Sequence, residues 1–210
     1  MDMKDIASLV LSTVSVVISA YTFWLVQFNR GRLMMTRPAY ICFGRDAGPN
    51  WPKIFIRTCL YSTGAKGVAV ESLHLRVHQT CDREFVFDYW GHTDNGRLTI
   101  GSGLYVGPNG VASNHHFNFR GNPSLFVAEP GTYRVEVFAT VAGKRPNRIS
   151  EIEFDINGEQ SAEMVQILDR QLELVWDAAQ SKYVGEIRRE NAATSNERQA
   201  LYRTDFRAAI

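Results

Sequence analysis

The hydrophobic pattern changes character once along this chain. Residues Ile6 to Phe28 form an uncharged, mostly apolar run of 23 residues, closed by Asn29-Arg30-Gly31-Arg32. A helix of that length spans roughly 34 Å, enough for a hydrocarbon core of ~30 Å. Twelve of its residues are Leu, Ile, Val or Phe, and at about −0.3 to −0.6 kcal/mol each they favour insertion by roughly 5 kcal/mol before the hydroxyls subtract some. Tyr21 and Trp24 fall toward its C-terminal end, where amphipathic rings prefer the headgroup zone. From Ala39 onward the period drops to two, the mark of half-buried strands.

Candidate strands are Ala39–Phe43, Lys53–Ser62, Val70–His78, Glu84–Trp90, Leu98–Val106, Ser113–Arg120, Thr132–Ala142 and Arg148–Ile156. Turn chemistry separates them, as in Asp94-Asn95-Gly96, Gly107-Pro108-Asn109-Gly110 and Gly143–Pro146. Leu73, Leu75 and Val77 alternate with His74, Arg76 and His78; Tyr133, Val135 and Val137 alternate with Arg134 and Glu136. Each strand therefore has a core side and a water side. Lys53–Tyr61 is apolar on both faces, which suits a central strand. Short strands at regular spacing predict a mainly β fold, an antiparallel sandwich behind an N-terminal transmembrane helix.

After Asn157-Gly158 the pattern shifts again. Ser161 is a candidate cap for a short helix through Met164, Ile167 and Leu168. Gln171–Trp176 and Lys182–Ile187 then read as a closing hairpin, because Leu172, Leu174 and Trp176 alternate; the competing reading extends one helix from Ser161 to Gln180. The expected domains are an anchor at 1–29, a basic juxtamembrane linker at 30–37, a β-sandwich at 38–187 and a polar tail at 188–210. In that tail Asn196 and Gln199 fit a capping box. Tyr202, Phe206 and Ile210 recur every four residues, so a short helix docking on a partner or an anionic leaflet is one expectation, and disorder is the other.

At Glu129-Pro130-Gly131-Thr132-Tyr133-Arg134-Val135 the chain resembles immunoglobulin-like sandwiches, which enter a late strand through a Gly-x-Tyr step whose hydroxyl bonds back across the corner. The resemblance covers residues 38–157 and implies a corner role for Tyr133 and Greek-key connections. The Cys…Trp…Cys trio of antibody domains is absent from the sequence. The layout of one N-terminal span followed by such a sandwich also looks like uncharacterised bacterial membrane-anchored proteins, which carry no assigned activity.

Charge sets the expected orientation. Asp2, Lys4 and Asp5 precede the apolar run; Arg30, Arg32 and Arg37 follow it. The basic side favours the cytoplasm, so the expected placement is an inner (plasma) membrane with the N-terminus outside and the sandwich inside. A cleaved signal peptide would want a basic start and a small-x-small site. Here Lys4 is flanked by acids, and Ile18 occupies the −3 place relative to Ala20. Three cysteines, Cys42, Cys59 and Cys81, without C-x-x-C spacing suit free thiols in a reducing compartment. A net charge of +1 gives no field for nucleic acid.

Within the apolar run, Ser8, Ser12, Ser15, Ser19 and Thr22 are spaced 4, 3, 4 and 3. They lie within roughly 40° of one line on a helix, a seam of small hydroxylated residues that lets membrane helices pack closely. Self-association is the expectation; each hydroxyl bonding its own i−4 carbonyl is the alternative. Catalytic, cofactor and metal sites are not expected. Gly101-Ser102-Gly103 precedes a strand, where a phosphate loop needs a helix. His74 and His78 on a strand stand about 13 Å apart, too far for one zinc ion shared with Cys81. His115 and His116 should point to opposite faces. The candidate interaction face is His74, Arg76, His78, Trp90, His92, Asn114, His116 and Asn118, read as outward or turn positions suited to ligand or protein contact. The leading functional expectation is a non-enzymatic interaction or scaffold module with an unknown protein partner. The alternative is an oligomerising effector that senses a ligand and perturbs the bilayer.

Overall fold

The computed structural model describes residues 3–27, 31–45, 52–79, 83–94, 97–101, 103–119, 126, 128–166 and 170–189. Helix α1 (Met3–Gln27) comes first, followed by β1 (Leu33–Met35), β2 (Tyr40–Arg45), β3 (Pro52–Ser62), β4 (Val68–Gln79), β5 (Arg83–Phe87) and β6 (Tyr89–Asp94). Then come β7 (Arg97–Ile100), β8 (Leu104–Val106), β9 (Val111–Asn118), β10 (Gly131–Val141) and β11 (Asn147–Ile156). Helix α2 (Gly158–Gln166) and the hairpin β12 (Arg170–Asp177) and β13 (Lys182–Arg189) end the described chain.

Two antiparallel sheets form. The first runs β13-β12-β2-β3-β9-β6-β7, with β1 also on β3; the second runs β11-β10-β4-β5, with β8 also on β4. Their inner faces share one core, built from Ile41, Phe43, Ile54 and Ile56 on one side and Leu75, Val77, Val135 and Phe154 on the other. Phe43 joins the layers: its ring sits edge-on to Tyr133 at 6.3 Å and to Phe154 at 5.1 Å between centroids. The fold is thus a mainly β, antiparallel sandwich with a long apolar helix in front.

The alternation in β4, β10 and β11 lands as expected, with Leu73, Leu75, Val77, Tyr133, Val135, Val137, Ile152, Phe154 and Ile156 all buried. The β12–β13 hairpin forms, with Leu172 opposite Ile187 and Trp176 opposite Tyr183, so a helix running to Gln180 does not. Helix α2 is capped by Asn157 rather than Ser161. Gln160 N donates to Asn157 Oδ1 at 2.8 Å while Asn157 N donates to Gln160 Oε1 at 2.9 Å, a reciprocal capping box. Ser161 is buried inside the first turns. Ile167 and Leu168 lie outside the described residues.

Two expected strands divide. Glu84–Trp90 breaks at Asp88 into β5, in the second sheet, and β6, in the first. The inward residues step from Phe87 to Trp90, an odd interval that a single strand cannot carry, so the chain changes sheets there. Leu98–Val106 breaks at Gly101 and Gly103, both near φ +100°, a backbone that L side chains resist.

The stretch read as a linker is largely part of the fold. β1 pairs Leu33 with Ser62. Thr36 N bonds Cys59 O, the Arg37 guanidinium lies 3.8 Å over the Trp176 ring, and Tyr183 Oη donates to Pro38 O at 2.9 Å. The sequence hid this because a three-residue strand ending before Pro38 carries too short a period to see.

Candidate functional site

Among the described residues nothing covers α1: none of its residues is buried. It is long and apolar enough to cross a membrane, a property it shares with signal sequences. Tyr21 and Trp24 stack at 6.4 Å near its C-terminal end. Along the hydroxyl seam, Ser12 Oγ donates to Ser8 O at 3.0 Å, Ser15 Oγ to Leu11 O at 2.9 Å and Thr22 Oγ1 to Ile18 O at 2.8 Å. These three donors are therefore satisfied within the helix, which leaves their acceptor lone pairs along a stripe of small side chains.

The end of α1 is knitted to the sandwich. Lys66 Nζ donates to Gln27 O at 2.9 Å, Arg32 N to Thr63 Oγ1 at 2.8 Å and Thr63 N to Arg32 O at 3.0 Å. Gly31 lies against Gly64 so closely that a Cβ there would stand 1.9 Å from Gly64 N. Only glycine admits that approach.

The eight residues expected to share one face occupy three places. His74, Arg76 and His78 point out from β4 in the second sheet. His74 stacks on Phe138 at 5.0 Å, and Arg76 lies 4.8 Å over the same ring. His78 sits between Glu136, at 3.1 Å, and Glu84, at 3.7 Å. Burial pushes the Glu136 carboxyl up, but hydrogen bonds from His78 and Arg148 outweigh it and hold it below the usual carboxylate range. Burial, helped by Arg76, lowers the His74 imidazole. Asn114 and His116 lie half-buried on the outer side of β9 in the other sheet, where His116 meets the Phe55 edge at 4.9 Å and Phe55 meets Tyr40 at 5.6 Å. Asn118, expected on that face, is buried at 7% exposure and offers no contact surface.

Trp90 and His92 turn inward instead, at 3% and 6% exposure. The register pairs Trp90 with Phe117 and His92 with His115, which puts all four on the core side of the first sheet. A strand continuing β5 in phase through Trp90 would point that side chain outward; the change of sheet at Asp88 turns it in. There Trp90 stacks on His92 at 5.2 Å and on His115 at 6.2 Å, and Trp90 Nε1 donates to His115 Nδ1 at 3.3 Å. The sequence offered one signal for this buried group, the inward alternation of Ser113, His115 and Phe117. His115 and His116 do point to opposite faces.

Burial, with His92 adding to it, lowers the His115 pKa from its ordinary 6.5 to about 4. The unfolded chain therefore binds the extra proton between those values, and stability rises with pH across that window. The expected result is a loss of about 3 kcal/mol on acidification from pH 6.5 to 4, absent above pH 6.5. Urea titrations at stepped pH check it, and His115→Phe should flatten the slope.

Among the described residues no three His, Cys, Asp or Glu side chains gather as a metal would require; Cys81 lies outside them. Gly103 leads into β8 and no helix follows. Cys42 and Cys59 are thiols. Tyr202, Phe206 and Ile210 lie outside the described residues.

No protein-family model and no curated protein matches the chain. Among solved structures it is similar to a DUF4426 family protein from Pseudomonas aeruginosa, at 9% identity and a TM-score of 0.32, over 62% of this chain and 94% of that one. A family 123 glycoside hydrolase from Clostridium perfringens matches at 9% identity and a TM-score of 0.32, over 61% of this chain and 27% of the hydrolase. The CooA pilin subunit of enterotoxigenic Escherichia coli matches at 10% identity and a TM-score of 0.29, over 58% and 94%. Similarity at this level says nothing about activity, substrate or partner.

Proposed function

We propose that this chain is a single-pass membrane protein whose immunoglobulin-like sandwich is held at the cytoplasmic face as a non-enzymatic docking module for a protein partner. The observation that carries the reading is an apolar helix that no described residue buries, its end bonded to the folded sandwich through Lys66, with Gly31 and Arg32 packed into that sandwich. An anchor of this kind raises the local concentration of whatever the sandwich binds without adding a contact.

The immunoglobulin-like reading is supported by strand order. β2-β3-β9-β6 against β11-β10-β4-β5 follows the A-B-E-D and G-F-C-C′ succession of variable-type domains. Tyr133 Oη donates to Glu129 O at 2.8 Å, four residues upstream, as a corner tyrosine does. The cytoplasmic side is supported by Arg30, Arg32 and Arg37 after the helix, against two acids and one lysine before it. The non-enzymatic reading is supported by the state of two shifted ionisable groups: His115 is sealed in the core, and Glu136 is engaged by His78 and Arg148.

Fusions of a reporter to the C-terminus decide the side. A cytoplasm-active reporter should light and an export-dependent one should not, with the chain resisting alkaline carbonate extraction. Recovery of a soluble form lacking its first twenty-odd residues refutes the proposal. Affinity capture of the full chain from its membrane then identifies the partner.

The hydroxyl seam favours a second reading, an effector whose helices assemble and perturb the bilayer. Polar and small-residue contacts between membrane helices are worth about 0.6 kcal/mol each, so Ser12, Ser15 and Ser19 together contribute roughly 2 kcal/mol, or about 20-fold in association. Leucine at all three positions should lower energy transfer between labelled full-length chains in liposomes by that order. It should also abolish dye leakage if the effector reading holds. Wild-type chains that associate without leakage leave the docking module standing alone.

A further inference from the structure

The register of the strands gathers one set of connections at the end where α1 enters. β1 pairs beside Ser62, Ser62 N bonds Gly107 O, Val106 pairs with Val68, and Ala142 N bonds Ala69 O. The turns 63–67, 107–110 and 142–146 therefore form a single rim beside Gln27. That rim carries Arg32, Lys66, Lys144 and Arg145, all exposed. Among the described residues none of these four has a carboxylate in salt-bridge reach, whereas Arg76, Arg83, Arg148, Arg170 and Arg188 each do. Glu129, Asp155 and Glu159 stand at the opposite end of the sandwich. Tyr105, 64% exposed, lies across the rim with its hydroxyl accepting a hydrogen bond from Gly67 N at 3.2 Å.

We infer that this rim docks on the anionic phosphates of the bilayer surface, so that the sandwich is seated on the membrane rather than swinging from it. The inference rests on the proposed span of α1. Three residues separate Gln27 from Gly31, at most about 14 Å of extended chain across the four steps between them. The Lys66 bond to Gln27 O holds the rim closer still. The headgroup layer is roughly 5 to 7 Å deep on each side of the hydrocarbon. A helix that spans the bilayer thus delivers the rim into that layer, where lysine and arginine meet lipid phosphates and a tyrosine ring finds its preferred depth. These cations, none within salt-bridge reach of a carboxylate among the described residues, and the Tyr105 ring are matched to that surface in both charge and place.

The full chain is assembled into nanodiscs of neutral phosphatidylcholine or with 30 mol % phosphatidylglycerol (chosen as on the order of a bacterial anionic surface). An environment-sensitive fluorophore is introduced as an unnatural amino acid at Asn109, in the 107–110 turn, or at Glu159 as a far-end control. Quenching by headgroup-nitroxide lipid reads proximity. Docking predicts quenching at Asn109 in the anionic discs that falls roughly tenfold in neutral discs, at high salt, or with Lys144→Glu and Arg145→Glu together, and none at Glu159 in any lipid. Equal quenching in neutral and anionic discs, insensitive to salt and to the charge reversal, overturns the inference and leaves simple tethering. No quenching anywhere, with the chain still co-eluting with the discs, also overturns it while leaving the span intact. A chain that fails to enter either disc refutes the span and the docking together. Salt and lipid comparisons use the unaltered rim, so the test does not depend on how the charge-reversed chain folds.

Discussion

Arginine at both Val14 and Val17 is expected to move the entire chain from the membrane pellet to the supernatant. The two valines sit at the middle of α1, 50% and 61% exposed, buried by none of the described residues. An arginine at the centre of a spanning helix costs about 2.5 to 3.5 kcal/mol, and each lost valine removes a few tenths more. The sum, roughly 6 to 7 kcal/mol, exceeds the favourable ~5 kcal/mol that the apolar run supplies. One arginine alone leaves roughly 1 to 2 kcal/mol in favour of insertion and should keep most of the chain in the pellet. The sandwich makes no contact with these side chains, so its unfolding transition should be unchanged in the released protein. Carbonate extraction followed by ultracentrifugation measures the partition. Retention of the double variant in the pellet would mean that something other than α1 holds the chain to the bilayer.

What the sequence made legible was whatever a single strand declares by itself. The faces of β4, β10 and β11 follow from Leu73-x-Leu75-x-Val77 and its counterparts, because alternation decides which side meets the core regardless of neighbours. The outward placement of His74, Arg76 and His78 was readable for the same reason. What stayed hidden was which sheet a strand joins. Nothing local at Asp88 says that Phe85 and Phe87 belong to one layer while Trp90 and His92 belong to the other; only the odd step between Phe87 and Trp90 hints at it. That one slip took two residues out of the expected interaction face and placed them in the core beside His115. The rim of cations was hidden differently. Arg32, Lys66, Lys144 and Arg145 are scattered over more than a hundred residues of sequence and meet only through the register of β1, β3, β4 and β10.

Phe43→Ala should separate the stability of the sandwich from the anchoring of the chain. The ring is 1% exposed and is the side chain through which β2, in one sheet, touches Tyr133 and Phe154 in the other. Truncating a buried phenylalanine removes its transfer free energy and leaves a cavity, at a cost of about 3 to 5 kcal/mol. Two edge-on aromatic contacts are lost with it, which puts the expected value toward the upper end. Domains of this size are stable by about 5 to 15 kcal/mol, so much of the margin goes. With a urea slope of about 1 to 3 kcal/mol per molar, the midpoint should fall by roughly 2 M, followed by tryptophan emission from the buried Trp90. Phe43→Leu keeps most of the volume and should cost less than about 1.5 kcal/mol. Neither variant touches α1, so both chains should remain in the membrane fraction, the alanine form as an anchored but protease-sensitive domain. A midpoint shift below about 0.5 M for the alanine variant would mean that the layers are held together by other inward side chains of the first sheet, such as Ile41, Ile54 and Ile56.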